Sequence, residues 1–216
     1  MNKFFKDGAT VLFQGDSVTD CGRNRNHACM TMARFGSGYP RIFKEIYDRL
    51  FPCNSINFVN RGVSGDRVRD LLIRYDVDFK AVNPDFVSIM IGINDTWRAY
   101  DSADYCAPER FEKEYDELLS KIKADFPDAK IMIIEPFAFT AHPDRLGWNA
   151  DLDPKRDIVK KLADKYADYF VPMYDLMTDT DKNGFDMYEL STDGVHPDPV
   201  GHSLIATELI KTLGII

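Results

Sequence analysis

The chain has 216 residues, 44% of them apolar, a length and composition that suit one domain with a proper core. Its formal net charge of −8 argues against a nucleic-acid partner, which calls for a basic face. No apolar run approaches the ~20 residues that span a bilayer, so no membrane partner is expected.

Apolar runs and helical patterns alternate along the chain. Residues 10–14 read as a short buried strand ended by Gly15. Residues 18–38 are polar, with several Gly, Arg and Asn, and read as a long loop. Residues 39–50 carry Ile42, Phe43, Ile46 and Leu50 at helical spacing, with Pro40 in the first turn. Residues 56–59 form the next strand, and 66–75 a helix with Asp66 in its first turn. The run 86–91, between Pro84 and Gly92, is the clearest strand. The clearest helix is 108–126, where Phe111, Tyr115, Leu118, Leu119 and Ile122 fall near a 3.6 period. Strand 130–134, helix 154–166, strand 169–171 and helix 199–213 complete the chain. Five short apolar strands separated by helices predict an α/β, three-layer α/β/α sandwich around a five-stranded parallel sheet, as a single domain over 1–216.

Ligands of such sheets bind beyond the carboxyl ends of the strands. The unusual residues cluster there: Gly15-Asp16-Ser17 after the first strand, Asn60-Arg61-Gly62 after the second, Gly92-Ile93-Asn94-Asp95 after the third, and Asp193-Gly194-Val195-His196-Pro197 before the last helix. A serine hydroxyl is a weak nucleophile until a base takes its proton. Ser17 sits at a strand-to-helix corner, and His196 is the candidate base. Asp193, three residues before it, can reach the ring nitrogen facing away from Ser17 and fix the tautomer. Attack on a carbonyl creates an oxyanion. Gly62 can offer a bare backbone N–H, Asn94 a side-chain N–H, and Ser17 its own backbone N–H.

The segments G-D-S-V-T-D, N-R-G, G-I-N-D and D-G-V-H-P resemble, in order and spacing, the four blocks of the SGNH hydrolases, also called GDSL esterases. The likeness runs from residue 15 to residue 197, with Val18 standing where many relatives carry Leu. It implies a flavodoxin-like α/β/α sandwich, Ser17 as nucleophile, Gly62 and Asn94 as oxyanion donors, and His196 with Asp193 completing the triad. It implies no cofactor and no metal. The stretches 87–101 and 15–23 look like bacterial acetylxylan esterases of this superfamily, some of which act inside the cell on imported oligosaccharides. That likeness implies a small acylated carbohydrate as partner. Trp97 and Tyr100 would form a sugar-stacking wall, Arg98 would hydrogen-bond sugar hydroxyls, and Asp16 is grouped with them at the substrate site. Related esterases often form homo-oligomers. Lysophospholipases and acyl-thioesterases share the superfamily and remain alternatives, as does a flavodoxin-like domain that binds without turnover.

Other features are weaker. Lys3, Lys6 and Asp7 interrupt any signal-peptide core, so a cytoplasmic home is expected, and the cysteines Cys21, Cys29, Cys53 and Cys106 are expected reduced. Cys21, His27 and Cys29 match no common zinc spacing. His202 is read as structural, and His142 sits in a loop with no evident partner. Trp148, beside Gly147, is read as a packed tryptophan near the rim. The run 179–184 resembles the start of an EF-hand loop but has Leu190 where the closing Glu belongs, and reads as a polar turn.

Overall fold

Side chains alternate sides along a strand, so a sheet covered on both faces needs two apolar sets in every strand. The computed structural model, which describes residues 3–26, 28–179 and 184–216, has that pattern. Its strands are β1 (Thr10–Gly15), β2 (Asn57–Asn60), β3 (Phe86–Met90), β4 (Lys130–Ile134) and β5 (Tyr169–Val171). All pair in parallel, in the order β2-β1-β3-β4-β5. The helices are α1 (Ser17–Asp20), α2 (Tyr39–Leu50), α3 (Val68–Ile73), α4 (Ile93–Asp101), α5 (Pro108–Asp125), α6 (Asn149–Tyr166), α7 (Met173–Thr178), α8 (Met187–Leu190) and α9 (Pro199–Thr212).

Val11, Phe13, Phe58, Met132, Ile134 and Val171 face one side and pack with α2 and α9. Leu12, Val87, Ile89, Ile131 and Ile133 face the other and pack with α3, α5 and α6. The result is the α/β/α sandwich expected, with the flavodoxin-like strand order. The α2 face is rich in aromatics: Phe13 meets Phe43 with ring centroids 5.5 Å apart, and Phe5 meets Tyr47 at 5.2 Å. Among the described residues no helix is long and apolar enough to cross a membrane.

Several boundaries differ from the sequence reading, each through tertiary packing. Helix α6 starts at Asn149 rather than 154 and carries Pro154 inside it. The N–H lost at proline is outweighed by the first turn, where Trp148 and Leu152 bury against Ile93, Ala138 and Val195. Lys155, fully buried, pairs there with Asp151 at 2.6 Å. The 18–38 stretch is not one loop: it opens within the single turn of α1 and contains a 3-10 turn at Met32–Phe35. Asn94 and Asp95, residues suited to a helix-start turn, lie in the first turn of α4, and the helix itself, Ile93–Asp101, had no separate signal. The helix expected over 66–75 contracts to α3 and is followed by a wider turn, Asp76–Lys80. His27 of the zinc reading and residues 180–183 of the EF-hand-like turn lie outside the described residues.

Strands β1 and β3 converge where β1 ends. Gly15 has φ +157, and a Cβ there would lie 2.3 Å from the Met90 carbonyl oxygen and 2.4 Å from Thr19 Oγ1. Gly15→Ala is therefore expected to lower unfolding free energy by about 1–3 kcal/mol, read as a drop in the urea midpoint. An unchanged midpoint would mean the two strands have room the structure does not give them.

Candidate active site

The strand order reverses at β1, with β2 on one side and β3 on the other, so a crevice opens at the carboxyl ends of β1 and β3. Ser17 leaves β1 as the first residue of α1. Asp16 caps that turn: its Oδ1 accepts the Val18 N–H at 3.0 Å. The turn ends at Cys21, whose φ of +37 is left-handed. Asp16 is buried, and burial pushes its carboxyl up to about 7 against the pull of the Val18 N–H and of His196.

The loop after α8 brings the base to Ser17. Ser17 Oγ lies 2.8 Å from His196 Nε2, and His196 Nδ1 lies 2.6 Å from Asp193 Oδ2. The carboxylate on one ring nitrogen assigns the proton to Nδ1, which leaves Nε2 to accept from the Ser17 hydroxyl. Asp193 Oδ1 also accepts the Val195 N–H at 2.9 Å and the His196 N–H at 2.7 Å. Burial works against ionising Asp193, yet these hydrogen bonds hold its carboxyl well below the usual range. The hydrogen bond it gives Asp193 raises the pKa of His196 above 6.5. Partial burial opposes this, and the nearby charges of Asp193 and Asp16 add to it. The chain thus holds hydroxyl, imidazole and carboxylate in one line, an arrangement able to take a proton from Ser17 as its oxygen attacks a carbonyl.

The oxyanion candidates sit in tighter settings than spacing alone suggests. Gly62 packs on α1, and a Cβ there would lie 2.5 Å from the Asp20 nitrogen. Its N–H donates to Asn60 Oδ1 at 2.9 Å. Asn60 in turn donates to the carbonyls of Thr19 and Phe35, so one amide ties three segments together. Asn94 is buried and gives one amide hydrogen to the Asp66 carbonyl at 3.0 Å, leaving the second for another acceptor. Arg98 reaches Asn94 Oδ1 at 3.4 Å and pairs with Asp101.

An aromatic wall flanks the base. The Trp97 and His196 rings lie 5.6 Å apart, and Trp97 meets the buried Trp148 at 5.5 Å. Tyr100 is half exposed, stacks on Trp148 at 4.9 Å, and its hydroxyl donates to the Gly147 carbonyl. The sequence reading overlooked Arg145, whose guanidinium lies 4.4 Å from the Trp97 ring and 4.7 Å from that of Trp148. It also found no partner for His142, which accepts the Asp144 N–H at Nδ1 and so donates from Nε2 to the Thr192 carbonyl at 3.2 Å. Neither residue belongs to a block or a periodic pattern that could have marked it. His202 is buried, its pKa pushed down to about 4 by burial and then by His196. It accepts the Tyr39 N–H and meets Cys21 Sγ at 3.3 Å, a structural setting.

Among the described residues one group has metal-ligand geometry: the donor atoms of Asp95, Cys106 and Glu114 lie within 4.8 Å of one another. Burial pushes Asp95 up to about 7 and Cys106 up to about 12, and Arg110 already donates to Glu114 at 2.7 Å. Protons and an arginine thus balance this group.

The sequence profile of the GDSL-like lipase/acylhydrolase family matches residues 13–204. The chain belongs to that family. It is 32% identical, over 96% of its length, to an acetylxylan esterase of Geobacillus stearothermophilus, 94% of which is covered. A crystal structure of an acetylxylan esterase from that organism matches with a TM-score of 0.84 at 32% identity, over 96% of this chain and 95% of that one. An alpha/beta hydrolase enzyme from the metagenome of Lake Arreo, Spain, matches with a TM-score of 0.87 at 29% identity, over 99% and 98%. Structures of serine-to-alanine and histidine-to-alanine variants of the Geobacillus enzyme are described as those of catalytic mutants. As a GDSL-family member this chain is a carboxylic ester hydrolase.

In this hydrolase the Asp193 bond makes a direct prediction for its histidine. The ring of His196, followed by NMR through a pH titration, should lose its proton above pH 6.5, because Asp193 stabilises the imidazolium. Asp193→Asn should move that midpoint down. A midpoint that stays in place would show that the carboxylate does not set the charge of the ring.

Proposed function

We propose that the protein is a serine esterase that removes acetyl groups from acetylated xylo-oligosaccharides or closely similar sugars, with Ser17, His196 and Asp193 as its catalytic triad. The observation that carries this reading is the unbroken line from Ser17 Oγ through His196 to Asp193, at 2.8 and 2.6 Å. The acetylxylan esterases among its relatives support the substrate class.

Ser17 Oγ attacks the ester carbonyl carbon as its proton passes to His196 Nε2. The carbonyl oxygen takes the negative charge. The Ser17 backbone N–H, the Gly62 N–H and the free hydrogen of the Asn94 amide are the proposed donors to it. Gly62 must turn its N–H from Asn60 Oδ1, or share it, as that charge develops. Asp193 stabilises the imidazolium. The tetrahedral intermediate collapses, the proton on Nε2 passes to the departing sugar oxygen, and the acyl group stays on Ser17. Water then attacks that ester with His196 again as base, releasing acetate and the serine hydroxyl. Trp97, with Arg145 and Trp148 packed behind it, is the proposed surface for the sugar ring. Tyr100 sits at its exposed end, Arg98 is beside Asn94, and Asp16 fixes the turn that carries Ser17.

Ser17→Ala should lower kcat on the order of 10⁶-fold. Asn94→Ala should cost ~100- to 1,000-fold in kcat, with a smaller effect on KM, because the donor acts mainly in the transition state. Wild-type turnover in Ser17→Ala would refute the triad.

Substrate class is tested separately, by acetate release from acetylated xylo-oligosaccharides beside para-nitrophenyl esters of increasing chain length. The reading expects Ser17-dependent acetate release and a steep fall in kcat/KM beyond acetyl. Rising rates with longer chains would keep the triad and point to a lipid or thioester substrate instead.

A further inference from the structure

Beside the Gly62 block the molecule concentrates positive charge that ester hydrolysis does not use. Arg23, Arg34 and Arg61 line a cavity of about 120 Å³ against the edge strand β2, together with Asn24, Asn26, Cys29 and residues of β2. Among the described residues its lining includes no carboxylate. In a chain of net charge −8, a pocket of this sign is a local departure that needs a cause.

The carboxylates around it are largely taken. Asp20 pairs with Arg25 and accepts from the Ser64 N–H and hydroxyl, both at 3.0 Å. That leaves Arg23 Nε 4.0 Å from Asp20, and it donates instead to the Gly62 carbonyl at 2.7 Å. Asp78 is shared between Arg74 and Gln14, which leaves Arg61 Nε 3.9 Å away. Arg34 forms no ion pair among the described residues, and its guanidinium lies 4.8 Å from the ring of Phe35. The Nε atoms of both Arg34 and Arg61 are buried without a hydrogen-bond partner. Burial lowers the pKa of Arg23; Asp20 opposes this, and Arg61 and Arg25 add to it. Arg61 is lowered by burial too, with Asp78 opposing and Arg74 adding. The Nε donors of Arg34 and Arg61 thus lack an acceptor, while that of Arg23 is spent on Gly62.

We propose that this cavity binds a small oxyanion, a carboxylate or a phosphate group, held chiefly by Arg34 and Arg61. A planar guanidinium offers paired N–H donors that match the oxygens of either group. The amides of Asn24 and Asn26 supply neutral donors at the same wall. Arg23 joins the anion site to the Gly62 segment through its bond to the Gly62 carbonyl. Two sources offer this chemistry, the carboxylate of an acidic sugar and a free or esterified phosphate. The site does not depend on which ester Ser17 accepts, so its failure and the failure of the acetyl-sugar reading are read separately.

The test is calorimetric titration of the full chain at fixed ionic strength with sodium phosphate, with sodium glucuronate, and with sodium chloride as control. One saturable site for phosphate or glucuronate is expected, absent for chloride. Arg34→Met and Arg61→Gln should each weaken it about tenfold or more, the loss of one charge-assisted contact. Arg34→Met should hydrolyse a short model ester at the wild-type rate, which shows that it is folded. Tighter binding of glucuronate than phosphate supports the site and assigns it to acidic sugars; the reverse order supports it and assigns it to phosphate. Heats no larger than chloride for both anions, or binding unchanged in both variants, would overturn the proposal.

Discussion

At the carboxyl end of β1 the backbone leaves no room for side chains, and the site depends on that. Gly15 lies against the Met90 carbonyl of β3, and Gly62 lies against the backbone of Thr19 and Asp20. Two missing Cβ atoms let β1, β3 and the segment after β2 close on one another. The single turn of α1 then starts in contact with both neighbours, and Ser17 is held by backbone packing rather than by its own side chain. Asn60 completes the clamp by bonding Thr19, Phe35 and Gly62 at once.

The opposite half of the line is fixed by hydrogen bonds instead. Asp193 gathers a ring N–H and two backbone N–H groups, which sets both its own charge and the direction of the His196 ring. The Ser191 hydroxyl donates to the His196 carbonyl at 2.8 Å, and the Phe139 N–H donates to the Gly194 carbonyl at 2.8 Å. His142 closes the loop from outside through Thr192. The tryptophan pair and Arg145 then pack against the ring. Arg145 opposes protonation of His196 while Asp193 favours it. Asp193 outweighs both Arg145 and burial, so the imidazolium is the favoured form to a higher pH than in a free histidine.

Burial decides charge elsewhere in the molecule. Asp16 and Asp95 lie under the rim with carboxyls raised to about 7, and His202 falls to about 4 and stays neutral at pH 7. The exception is the arginine cavity, because a guanidinium keeps its proton even where burial and like charges lower its pKa.

The layers and their order of elements were legible in the sequence, because a strand buried on both faces must be apolar at consecutive positions and a surface helix every third or fourth. Leu12 and Phe13 show the first rule, and the Phe111-to-Ile122 face shows the second. The four blocks were legible too, since each follows or precedes an element of definite type. Local signals failed where packing outweighed them. Pro154 marked a helix start, but Trp148 and Leu152 had a pocket to fill and drew the helix back a turn. Contacts between distant segments left no trace at all in the pattern. The packing of Arg145 against Trp97 and Trp148, the hold of His142 on Thr192, and the gathering of Arg23, Arg34 and Arg61 are of this kind. Periodicity reports only which side of an element is buried. Which side chains meet across elements is settled when the strands take their order and the glycines let the loops close, so the residue types of the Ser17 line belong to the sequence and its surroundings to the tertiary structure.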